Sequence, residues 1–261
     1  MVTNSKYTFG DSAEASARLK RLADLYAPET RSLLARGAAR QLKVAVDLGC
    51  GPGWSTELLH DVLRPKRTIG FDASERFIAE ARVNHEPGLE FQVHDVAGGA
   101  FPSPPPDVLL CRFLLTHLAP VGDALAAWAR SASPNATLFI HETESLQAEN
   151  PTLGRYYTLV GRLQQHYGQA LYIGGSLDAI AENSGWKIVE SKLLRLKKPA
   201  QKMAQLHAPN LRTWRLDKFV EETFAARELD SLEASLNRIA DGEEGAGVVV
   251  NTARQIIASR A

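Results

Sequence analysis

The chain has 261 residues, 44% hydrophobic and 23% charged, which is the balance of a globular domain able to bury its own core without metal or disulfide staples. Thirty Lys and Arg stand against thirty Asp and Glu, so the formal net charge is zero and no overall field favours sequence-independent nucleic-acid binding. Two cysteines, Cys50 and Cys111, make no disulfide framework, and residues 1–25 hold no apolar run of signal-peptide length. No stretch approaches the ~20 apolar residues that span a bilayer, so a cytoplasmic protein without a membrane partner is expected.

In chain order, residues 11–26 place Ala15, Leu19, Leu22, Ala23 and Tyr26 at helical spacing, and Pro28 suits the start of a second helix over 28–36. Short apolar runs follow at 43–48, 68–71, 89–93, 108–111 and 136–140. Amphipathic stretches at 53–63, 74–83 and 122–131 separate them, the second with a cap at Asp72-Ala73-Ser74. The link 96–107 carries FPSPPPD, whose prolines forbid both helix and central strand. Beyond it, 151–167 reads as a long helix with Leu153, Tyr156, Tyr157, Val160 and Leu163 on one side. Residues 176–183 and 199–241 read as helical, 187–196 and 248–258 as strands. The cluster Arg195, Lys197 and Lys198 reads as a solvated strand end, with a local basic patch as the other reading.

The chemistry is concentrated in residues 44–56, VAVDLGCGPGWST. A buried strand ends at Asp47 and Leu48, glycines follow at 49, 51 and 53, and a helix begins at once. Such a turn lets a ligand approach the backbone and points amides at it, at the carboxyl end of a parallel strand where ligands collect. The dinucleotide fingerprint GxGxxG requires its third glycine at 54, which is Trp54, and no GxxxxGK[ST] loop is present. The spacing fits a nucleoside ligand lacking a pyrophosphate.

With these residues the sequence resembles the class I S-adenosylmethionine-dependent methyltransferases, whose first motif reads apolar-apolar-Asp-apolar-Gly-Cys-Gly-Pro/Thr-Gly and is matched throughout by residues 45–53. CRFLLTHL at 111–118, LFIHETES at 138–145 and YIGGSLDAIAENSGW at 172–186 extend the likeness to a broad bacterial small-molecule subgroup. The resemblance implies S-adenosyl-L-methionine as cofactor, its methionine part held at Gly49, Gly51 and Gly53 with Asp47 orienting the turn and binding the amino group. It implies that Asp72, beside Ala73, accepts from the ribose hydroxyls, that Asp95 accepts from the adenine amino group with Val96 packed on the ring, and that Arg112 borders the cofactor.

The acceptor site is expected past the fourth and fifth strands. His117 is either a base or a packed, hydrogen-bonded histidine; Glu142, next to His141, either binds or deprotonates the acceptor or is a helix-capping or solvent-facing carboxylate. The Arg112 side chain either anchors an acidic substrate or pairs with a structural carboxylate. Tyr7, Tyr156 and Tyr157 are candidates for a substrate pocket closed by the segments around 7–18 and 151–167, with core packing as the other reading. No metal-ligand spacing is present. Cys111-Arg112-Phe113-Leu114 replaces the Asn/Asp-Pro-Pro-aromatic signature of nucleobase methylation, so a small-molecule acceptor rather than nucleic acid is expected. Two rival readings remain, an NAD-dependent Rossmann oxidoreductase and a non-catalytic S-adenosylmethionine-binding protein.

The predicted architecture is a single α/β domain over 1–261, doubly wound on a mostly parallel, seven-stranded Rossmann-like sheet. Residues 1–40 form a helical cap and 41–145 the cofactor-binding core. Residues 146–261 supply a substrate lid and complete the sheet, with helical insertions after strands five and six.

Overall fold

The computed structural model describes residues 10–37, 41–85, 87–243 and 247–261. The first element is a single helix, α1 (Ala13–Arg36), where the sequence suggested two, and Pro28 lies inside it. Ser12 caps it by accepting from the Ala15 amide at 3.3 Å. Packing overrides the proline: Leu33, Leu34 and Thr30, all beyond it, are fully buried, which rewards continuing the helix past the missing N–H.

Alternation then builds the sheet: β1 (Val44–Leu48), α2 (Trp54–Leu63), β2 (Arg67–Asp72), α3 (Glu75–Asn84), β3 (Leu89–Val93), β4 (Val108–Arg112), α4 (Val121–Ser131) and β5 (Thr137–Ala148). Between β5 and β6 (Trp186–Pro199) come α5 (Pro151–His166) and α6 (Leu177–Glu182); between β6 and β7 (Val248–Arg260) come α7 (Ala200–Trp214), α8 (Lys218–Thr223) and α9 (Ala226–Asp241). The seven strands lie in the order β3-β2-β1-β4-β5-β7-β6. Pairings among β1 to β5 are parallel, whereas β7 runs antiparallel between β5 and β6. The sheet is therefore mixed.

Every residue of β1 is buried, as expected for a central strand covered on both faces. One core packs α4 and α6 on the sheet through Leu109, Leu125, Trp128, Leu138 and Trp186, and the opposite face meets α1 and α2 through Leu33, Leu59, Leu110 and Phe139. A second large core belongs to α5, α7, α8 and α9 and includes Tyr156, Leu163, Leu211, Trp214 and Leu236. Among the described residues no helix is long and apolar enough to cross a membrane.

Candidate active site

The turn after β1 is built from backbone. Gly49 and Gly51 have φ of +68° and +53°, and a Cβ on Gly49 would lie 2.7 Å from Leu114 Cδ1, so neither conformation nor space admits a side chain. A Cβ on Gly51 would lie 3.2 Å from Leu19 of α1, which passes over the turn. Asp47 is buried beneath, and its Oδ2 accepts from the Ser55 and Thr56 hydroxyls at 2.7 and 2.8 Å. It thereby fastens the first turn of α2, which starts from Gly53 without a side-chain cap. Burial pushes the Asp47 carboxyl up to about 6, against the opposing pull of those two hydroxyls and of Arg112.

Asp72 closes β2 over the same turn. Its Oδ2 accepts from the Gly51 amide at 2.8 Å and its Oδ1 from the Ser74 amide at 2.9 Å. Burial raises its pKa. A carboxylate offers about four acceptor positions, so two remain for hydroxyl donors, and neighbouring Ala73 is exposed. Asp95, past the end of β3, is exposed and accepts from the Ala97 amide at 2.9 Å. Val96 is 5% exposed, its side chain is part of the core with Phe101, and its carbonyl accepts from Trp128 Nε1 at 2.7 Å. At this strand end the exposed polar group is Asp95. Glycines too crowded for Cβ atoms, with carboxylates spaced at three successive strand ends, fit a nucleoside carrying an amino-acid tail.

At the next strand along from β1, β4 ends in a strained residue. Phe113 has φ of +52°, a left-handed conformation that costs a non-glycine residue of order 1 kcal/mol or more. It is held by its amide donating to the His141 carbonyl at 3.0 Å and by edge contact of its ring with Tyr26. The strain turns the chain so that the Leu114 and Leu115 amides both donate to Glu142 Oε1 at 2.7 Å. Glu142 thus caps the short 3-10 turn Leu115–His117, and at 1% exposure it is buried rather than solvent-facing. Burial pushes the Glu142 carboxyl up to about 8 despite those two amides.

His117 closes that turn. Burial, aided by the charge of Arg18, lowers its pKa to about 3, so it is neutral at physiological pH and a weak base. His141 is fully buried, its Nδ1 3.4 Å from Gln255 Nε2, and burial lowers its pKa to about 3 as well. The Arg112 side chain turns back to α1, donating to Thr30 Oγ1 at 3.4 Å, and its charge bears on buried Asp47. Its backbone lies at the β4 end beside the turn, while its guanidinium serves the packing of α1.

Tyr7 lies outside the described residues. Tyr156 and Tyr157 are 1% and 5% exposed, and the Tyr157 hydroxyl lies 3.0 Å from His207 Nε2 on α7. His207 stacks on Tyr156 with ring centroids 4.4 Å apart, and Tyr156 lies 5.9 Å from the Trp214 ring. His207, Trp214, Gln164 and Arg18 were absent from the candidates read from the sequence. Arg18 left a trace there, since it occupies the apolar stripe of α1 between Ala15 and Tyr26; residues 199–241 offered only helical periodicity.

The model of the methyltransferase domain family matches residues 17–191. Trans-aconitate 2-methyltransferase of Methylobacterium nodulans is 36% identical over 140 residues, 54% of either chain. The same-named protein of an Acidovorax species is 33% identical over 123 residues, 47% of either chain. The chain thus spans about half the length of the curated relatives it matches. A Bacillus halodurans structure described as a methyltransferase shares the fold with a TM-score of 0.60 at 12% identity, over 89% of this chain and 98% of that one.

Proposed function

Because the chain belongs to the class I S-adenosylmethionine-dependent methyltransferases, we propose that it transfers the methyl group of that cofactor to a carboxylate oxygen of a small acid, in the manner that trans-aconitate, named in its relatives, suggests. The observation that carries this reading is the glycine turn 49–53 with Asp47 beneath it and Asp72 bonded to its Gly51 amide. Asp72 and Asp95 would hold the ribose and adenine, and the turn with Asp47 the methionine end. S-adenosylmethionine supplies an electrophilic methyl group on sulfur when bound.

The chain's own task is positioning. Holding acceptor and methyl in line accounts for much of the rate in a displacement of this kind. The choice of a carboxylate oxygen follows from the bases available. His117 is held near a pKa of 3 and Glu142 Oε1 is occupied by two amides, so neither is arranged to take a proton from an alcohol. A carboxylic acid with an ordinary pKa near 4 is already ionised at neutral pH and needs no base. His117 and Glu142 then act by shaping the turn that borders the acceptor. A lid from the start of α1 and from α5 would exclude water, and Tyr157 on α5 would present its hydroxyl end inward.

Incubation of the protein with S-adenosylmethionine and trans-aconitate should yield S-adenosylhomocysteine and a monomethyl ester in equal amounts by mass spectrometry. Tight binding of S-adenosylhomocysteine with no ester from any member of a panel of di- and tricarboxylic acids would reject the acceptor class while leaving the cofactor reading intact.

A further inference from the structure

We infer that His85 is a positioning residue for methyl-donor binding: its ring donates to the Pro52 carbonyl and so sets the Pro52–Gly53 peptide of the glycine turn. The inference rests on the reading that the turn 49–53 holds the methionine end of S-adenosylmethionine, and it adds a residue from outside that turn.

His85 is where the chain leaves α3, with an extended backbone at φ −116° and ψ 154°. The preceding Val83 and Asn84 face solvent, yet the His85 side chain is only 1% exposed. Burying an imidazole at a helix exit is costly unless its nitrogens find partners. Nε2 lies 2.8 Å from the Pro52 carbonyl oxygen. A carbonyl can only accept, so Nε2 carries a proton and donates it to the bond. Nδ1 lies 3.4 Å from Glu57 Oε2, in the first turn of α2. The ring thus bridges the glycine turn and the helix that follows it.

The turn calls for this donor because of what Pro52 lacks. Its neighbours are tied through their own amides: Cys50 to the Phe71 carbonyl at 2.9 Å, Gly51 to Asp72 Oδ2 at 2.8 Å, and Gly53 to the Cys50 carbonyl at 3.0 Å. Proline has no N–H, so its carbonyl is the backbone group by which it can be held. The same contact accounts for the third glycine. Gly53 has φ of +93°, and a Cβ there would lie 2.8 Å from His85 Nε2 and 2.8 Å from Phe91 Cε1. Packing fixes the ring as well. Trp54, which stands where a dinucleotide turn has its third glycine, meets the imidazole edge-on with centroids 4.8 Å apart, and the Phe91 ring lies 5.5 Å away. A side chain locked in this way can hold a peptide plane in one orientation. Without the donor, the Pro52–Gly53 peptide is free to rotate and to carry the Gly53 amide away from the Cys50 carbonyl. The part of the ligand that feels this is the amino-acid tail, because Asp72 and Asp95 would hold the nucleoside from other strand ends.

The test is calorimetry with two probes: S-adenosylhomocysteine, and 5′-methylthioadenosine, which keeps the nucleoside and lacks the amino-acid tail. His85→Leu retains an apolar side chain and removes the donor. It should bind S-adenosylhomocysteine roughly threefold to tenfold more weakly, as for one lost hydrogen bond, with 5′-methylthioadenosine affinity unchanged. His85→Gln, whose amide nitrogen falls near the Nε2 position, should restore native affinity; His85→Asn, whose nitrogen falls near that of Nδ1, should not. Unaltered S-adenosylhomocysteine affinity in His85→Leu, an equal loss for both probes, or no recovery in His85→Gln would overturn the assignment. If His85→Leu does not fold, the comparison of His85→Gln with His85→Asn decides. Failure of the native protein to bind S-adenosylhomocysteine would instead remove the underlying cofactor reading, and the role of His85 with it.

Discussion

Glu142 offers the sharpest test of how the turn after β4 is built. Its Oε1 accepts from two backbone amides at 2.7 Å, one of them fully buried, and together with the His141 carbonyl it ties the left-handed Phe113 corner to β5. Replacing it with Ala strands both amides. At about 1–3 kcal/mol for each buried donor, less whatever water recovers, the loss is about 2–4 kcal/mol, a large share of the 5–15 kcal/mol typical of a domain. Glu142→Gln keeps the accepting oxygen and the volume and removes only the titration. The folded carboxyl is raised to about 8, above an unfolded value near 4.3, so the folded state holds the extra proton between those limits. Its contribution to stability is full below about pH 4.3 and is lost as pH rises toward 8, at about 1.4 kcal/mol per unit. Between pH 6 and 8, Glu142→Gln should accordingly gain on the native protein by about 2 kcal/mol, the slope flattening near the upper limit. Urea unfolding of the three proteins at pH 6, 7 and 8 measures both quantities. Equal destabilisation by Gln and Ala, or a pH-independent difference between Gln and native, would refute the reasoning.

Two further outcomes are expected at the cofactor turn. Asp72→Ala removes the acceptor of the Gly51 and Ser74 amides and, on the proposed reading, that of the ribose hydroxyls, so S-adenosylhomocysteine should bind roughly tenfold to a hundredfold more weakly; an unchanged dissociation constant in a folded variant would exclude that role. Asp47, poised at about 6, is expected to weaken S-adenosylhomocysteine binding as it protonates below that pH, whereas His117, near 3, contributes no inflection between pH 5 and 8. Titrations across that range should show the inflection persisting in His117→Asn and vanishing in Asp47→Asn.

The parts that the sequence determined are those whose physics is local. Residues 45–53 prescribe a buried strand, a turn possible only for glycine at 49 and 51, and a helix start, all within one short segment. Asp72 and Asp95 are legible as candidates because one closes β2 and the other lies just past the end of β3. Tertiary structure decided the rest. Pro28 breaks a helix on propensity alone, yet α1 continues through it because Thr30, Leu33 and Leu34 have a core to enter. The last hairpin's alternation does not reveal that β7 enters between β5 and β6 and mixes the sheet. Glu142 read as base or cap until the Phe113 corner brought two amides to it. Arg18, Gln164 and the α7 pair His207 and Trp214 come from three separate helices, and burial and hydrogen bonding are properties of packed neighbours. Only the packing of α1, α5 and α7 reveals a buried cation and orphaned polar atoms, because no residue's own pattern records what another helix brings to it.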